Sequence, residues 1–144
     1  MRISRFALCL TLAAAVLCGC QQSQNRTRSD QPLMPVQNPV ISDIPVPIGF
    51  RLDLKHTFYN STSGLRTGYV TYAGRGKTPA LLDFYKDNMP MSGWVLVRES
   101  TNPSSGSFTL HFQKENEGTD VKLTPGVFSF DVVVSFYPLS PSRK

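Results

Sequence analysis

Apolar and polar positions change period several times along the chain, and each change marks an element. Residues 21–40 are mostly Gln, Asn, Ser and Arg, broken by Pro32, Pro35 and Pro39, a composition too poor in apolar side chains to repay the entropy of folding. Ile44-Pro45-Val46-Pro47-Ile48-Gly49 follows. Alternating prolines hold this stretch extended and remove backbone donors, so it is expected to lie along the domain as a strap rather than inside a sheet. Across residues 50–58, Phe50, Leu52, Leu54, His56 and Phe58 alternate with Arg51, Asp53, Lys55 and Thr57. That period of two predicts a first strand with one wet face and His56 on the core side, where it would be buried and hydrogen-bonded. Turn chemistry in residues 60–64 and the run 65–73, with Tyr69, Val70 and Tyr72, complete a hairpin.

The period then lengthens. Leu81, Leu82, Phe84, Tyr85 and Met89 recur at steps of three and four, with Thr78 as N-cap, Pro79 at the first helical position and Pro90 as the stop. Asp83, Lys86 and Asp87 fall on the other side, so the helix should lie on a sheet with its aromatic stripe down. Residues 94–99, 107–113, 119–124 and 128–137 read as strands separated by turns at 103–106, 115–118 and 125–126. In the last strand, Phe128, Phe130, Val132, Val134 and Phe136 are expected to face the core. The fold class is therefore α+β: an antiparallel sheet of about five strands with one amphipathic helix on one face, in the order ββαβββ(β). Residues 44–138 form a single domain with Phe84 and Trp94 in its core.

The first apolar run has a different meaning. Residues 6–17 follow Arg2 and Arg5, and about a dozen residues rise only about 18 Å as a helix, short of a hydrocarbon core of about 30 Å. This fits the core of a signal peptide. Leu17-Cys18-Gly19-Cys20 closes it and resembles the lipobox at which bacterial lipoprotein precursors are lipidated and cut. The resemblance implies a signal peptide over residues 1–19, an acylated Cys20 as the first mature residue, a flexible tether to residue 43, and a tail at 139–144. Anchoring would be to the cell membrane through lipid. Gln21, where an Asp would signal retention in the inner membrane, favours the periplasmic side of the outer membrane in a cell that has one. Cys9 and Cys18 leave with the leader and an acylated Cys20 has no thiol, so no disulfide scaffold remains.

Charge excludes one class of partner. The net charge of +5 lies in the leader, tether and tail; between residues 41 and 138, nine basic residues meet nine acidic ones. A neutral domain lacks the electrostatic footprint for nucleic acid.

Candidate chemistry is sparse. The strand 68–72, then Ala73-Gly74-Arg75-Gly76-Lys77-Thr78 and a helix, imitates the end of a phosphate-binding P-loop, but Thr71 stands where the motif needs Gly, and Pro79 removes an amide. A weaker anion site at Arg75, Lys77 and the helix start is the residual form. His56 and His111 stand alone without metal-ligand spacing, with His111 expected in solvent; Ser92 is not flanked as a nucleophile elbow; Asp53 and Asp131 are unpaired carboxylates on wet faces. No catalytic, cofactor or metal site is predicted, and Cys20 is the one modification site. Phe84-Tyr85, Met89-Pro90 and Gly93-Trp94 together resemble a helix-to-strand motif of uncharacterised bacterial lipoproteins, a resemblance that spans about residues 44–112 and implies an α+β domain without an activity. The expected function is a non-enzymatic envelope module that binds a protein or polymer, using the wet sheet face around Arg51, Asp53, Lys55, Thr109 and His111 or an exposed strand edge. The alternative is a small-ligand binder or minor enzyme with a pocket between helix and sheet near Tyr69, Tyr72 and Tyr85.

Overall fold

The computed structural model describes residues 32–139. The leader, Cys20, the start of the tether and residues 140–144 lie outside the described residues. Seven strands and one α-helix follow in the order β1 (Arg51–Leu52), β2 (Phe58–Thr62), β3 (Leu65–Gly74), α1 (Thr78–Asn88), β4 (Val95–Asn102), β5 (Ser107–Lys114), β6 (Glu117–Pro125) and β7 (Phe130–Pro138). They make one antiparallel sheet in the order β1-β3-β7-β6-β5-β4, with β2 also paired to β3. The α+β class with a single covering helix is as the periodicities require. Seven strands stand where the expected order allowed five or six, because the optional last strand is present and the run 50–58 is broken in two.

Asp53 causes the break. Its carboxylate accepts the backbone N–H of Lys55 at 3.0 Å and contacts Nδ1 of His56 at 2.7 Å, capping a 3₁₀ turn at Leu54–His56. A short acidic side chain that satisfies nearby donors competes with the sheet ladder and wins here. The turn shifts the alternation, so His56, expected in the core, is an exposed residue. Phe58 and Leu54 are exposed with it.

The core forms where one sheet face meets α1. Val70 and Tyr72 of β3, Leu110 and Phe112 of β5, Val121 and Leu123 of β6, and Val132, Val134 and Phe136 of β7 are buried against Leu81, Phe84, Tyr85 and Met89 of the helix region. Trp94, 1 % exposed, seals the corner between helix and β4, and its indole N–H donates to the Asp43 carbonyl. Phe84 and Tyr85 pack edge-on at 5.1 Å between centroids. Two expectations fail locally. Phe128, placed in the core by its alternation with Val132, is 84 % exposed because β7 starts only at Phe130. Lys77, with extended backbone, rather than Thr78, holds the N-cap position of α1.

The strap reaches further upstream than its prolines suggest. Val36 N–H donates to the Val46 carbonyl and Ile48 N–H to that of Met34, so residues 34–48 fold back on themselves and deliver Ile41, Ile44 and Val46 to the core. An ion cluster fastens them: Arg66 on β3 binds Asp43 through both terminal nitrogens and Glu117 on β6 through Nε and Nη2. The guanidinium also lies 5.0 Å from the Phe136 ring and 5.5 Å from Trp94. Lys114 reaches Asp43 at 3.3 Å.

Candidate functional site: the helix-free sheet face

Alternation along the strands decides what the opposite face carries. Positions one residue away from the core set point away from α1, and the cross-strand register then assembles Arg51 (β1), Tyr69, Thr71 and Ala73 (β3), Asp131, Val133, Ser135 and Tyr137 (β7), Asp120, Lys122 and Thr124 (β6), Thr109 and His111 (β5), and Arg98 and Ser100 (β4) on one surface. Of the five residues named from sequence for a wet face, Arg51, Thr109 and His111 belong to it; Asp53, the cap of the adjoining 3₁₀ turn, lines a cavity at its edge, and Lys55 sits in that turn.

At one end lies a shallow cavity of about 430 Å³ lined by Asp53, His56, Tyr69, Thr71, Thr124 and Asp131, among others. Asp53, read from sequence as unpaired, holds His56. The hydrogen bond from His56 keeps the Asp53 carboxyl below its ordinary range, and the same bond, helped by the charge of Asp53, raises the His56 imidazole. Phe58 and Tyr69 stand exposed beside this end and face each other across the β2–β3 pair.

At the other end, polar side chains from four neighbouring strands meet. His111, expected in solvent, has only 17 % of its side chain exposed. Its Nδ1 lies 2.7 Å from Oδ1 of Asp120, directly opposite on β6. Its Nε2 lies 3.1 Å from Oγ of Ser100 and 3.4 Å from Nη2 of Arg98, both on β4. Tyr137 on β7 donates its hydroxyl to the same Asp120 oxygen at 2.9 Å. Burial first, and then the bond to Asp120, push the Tyr137 phenol up to about 12. Its ring lies over Gly118, where an added Cβ would come within 2.2 Å of it. Ser100, Asp120 and Tyr137 carry no sequence signal: Ser100 and His111 are eleven positions apart, Asp120 and Tyr137 seventeen, and only the pairing register joins them.

The other suggested sites disperse. Tyr69 is on the helix-free face, whereas Tyr72 and Tyr85 are in the core on the opposite side, so the three do not line one pocket. The Tyr72 and Tyr85 hydroxyls are both buried without a hydrogen-bond partner among the described residues; burial, and then the neighbouring Tyr72, raise the Tyr85 phenol far above its ordinary value. The Gly-rich stretch before α1 follows a strand paired antiparallel on both sides, a setting unlike the parallel β-strand and helix of a phosphate loop. No group of three His, Cys, Asp or Glu among the described residues could hold a metal ion.

The fold and this surface define a class: a small α+β domain whose antiparallel sheet has one face closed by a helix and the other open. A family model described as START domain-like matches residues 56–131, more than half of the chain, and the protein belongs to that family. Comparison with curated proteins and with solved structures gives no match.

Proposed function

We propose that this protein is a membrane-anchored envelope lipoprotein whose START-like domain is a binding module, meeting an envelope protein or polymer with the helix-free face of its sheet. One observation carries the choice of surface. The helix side is filled by Leu81, Phe84, Tyr85, Met89 and Trp94, each almost wholly buried, while the other side combines a concavity with exposed aromatic rings at Phe58 and Tyr69. Convergent polar groups beside apolar area are what recognition needs. START-like domains are usually binding domains, which supports the same reading. The anchor rests on the lipobox-like residues ending at Cys20, where several acyl chains would hold far more firmly than one.

Two measurements test this. A photo-crosslinking side chain at position 69, in cells, should give a discrete adduct that the same probe at Asp87 on the outer side of α1 does not; equal adducts from both positions overturn the choice of face. Mass spectrometry of the mature N-terminus should find an acylated Cys20, and a free thiol there overturns the anchor. A second reading, a small ligand held between helix and sheet, draws support from the two buried hydroxyls of Tyr72 and Tyr85, because buried polar groups ordinarily have partners.

A further inference from the structure

We infer that Ser100, His111 and Asp120 form an acyl-transfer centre on the helix-free face, with Ser100 as nucleophile, His111 as base, and Asp120 and Tyr137 as positioning residues, acting on esters presented at that face. The roles follow from hydrogen-bond accounting. An ionised Asp120 carboxylate only accepts, and its Oδ1 lies against both Nδ1 of His111 and the Tyr137 hydroxyl, so Nδ1 must carry the imidazole proton. Arg98 only donates, and its Nη2 faces Nε2, which must therefore be the bare nitrogen. Both constraints assign the same tautomer. Nε2 has one lone pair, faced by Arg98 at 3.4 Å and by the Ser100 hydroxyl at 3.1 Å; the shorter contact gives it to Ser100, an arrangement in which a serine is paired with a base that a third group orients. Tyr137, braced over Gly118, fixes Asp120 as Asp120 fixes the ring. Adjacent strands hold every member, which gives the site a rigid frame.

The chemistry balances without a cofactor. Ser100 Oγ attacks the ester carbonyl carbon as its proton passes to Nε2. The carbonyl π electrons move to the oxygen, whose charge the neighbouring Arg98 guanidinium, 3.4 Å from Nε2, would stabilise. Collapse breaks the bond to the alcohol oxygen, which leaves with the proton from Nε2, and Ser100 is acylated. Water, losing a proton to Nε2, then attacks the acyl carbon; the acid departs and the proton returns to Oγ. The sum is ester plus water to acid plus alcohol. A face this open, with a side-chain cation in place of an enclosed oxyanion hole, suits an ester carried on a polymer or another surface, and not an amide.

The full chain in detergent should be treated with a fluorophosphonate probe and with p-nitrophenyl acetate. The expected result is a single adduct on the peptide holding Ser100, absent in Ser100→Ala, and formed about 100-fold more slowly or worse in His111→Gln. Asp120→Asn should also slow labelling and, by ¹⁵N NMR of the ring, release His111 into mixed tautomers, with circular dichroism unchanged in all three variants. No adduct at Ser100 under conditions that label a control esterase overturns the inference. So does an adduct whose rate is the same in His111→Gln, or p-nitrophenyl acetate hydrolysis undiminished in Ser100→Ala.

Discussion

At the residue scale, single side chains with more than one bonding option decide the local structure. Asp53 could have stayed in a strand; because its carboxylate reaches Lys55 N–H and His56, the chain turns, and a histidine that alternation assigns to the core is displayed beside a cavity. Tyr85 shows the converse. It is wholly buried for its ring, and its hydroxyl has no partner among the described residues, a state that costs about 1–3 kcal/mol per group. Tyr85→Phe should therefore leave stability unchanged or raise it by about 1 kcal/mol in urea unfolding. A loss above that size would mean the hydroxyl is satisfied in solution and would favour a ligand between helix and sheet.

At the element scale, strand pairing converts a sparse sequence into a dense surface. β4, β5, β6 and β7 each contribute two or three polar residues to the helix-free face, and the Leu96/Arg98 irregularity between β4 and β5 resets which β4 residues face His111. Gly118 is the hinge of that arrangement, since Tyr137 is its direct partner on β7 and occupies the space a side chain would need. Gly118→Ala should cost about 1–3 kcal/mol through forced repacking. It should also part Tyr137 from Asp120, seen as a fall of the phenol titration from about 12 toward the ordinary value of about 10. An unchanged titration would show that the ring does not depend on the glycine.

At the scale of the whole molecule, the strap is tied to the sheet by charge as well as by apolar burial. Burial acts to raise the Asp43 carboxyl, but Arg66, by hydrogen bond and charge, and Lys114 beside it, together hold the group below its ordinary value of 3.8. A carboxyl depressed in the folded state stabilises when ionised. That stabilisation is complete above the unfolded value near 3.8 and is lost as pH falls through the lower folded value. Acid unfolding followed by tryptophan fluorescence, through Trp94, should begin below that pH. Asp43→Asn should cost about 1–3 kcal/mol at neutral pH and flatten the acid limb; an unaltered acid limb would show that the strap is held by Ile41, Ile44 and Val46 alone.

The sequence by itself determined the elements whose cause is local. The helix was legible from Leu81, Phe84, Tyr85 and Met89 at helical spacing, the later strands from turn chemistry and alternation, and the buried Trp94 from its place after Pro90 and Gly93. These follow from side-chain periodicity and turn preferences, which act over a few residues. Tertiary structure alone decided the order of the strands, the packing of the strap through Asp43 and Arg66, and the meeting of Ser100, His111, Asp120 and Tyr137. Register is set by which faces can be buried together across the whole sheet, so residues that stand alone along the chain become neighbours only once the sheet has closed over its core.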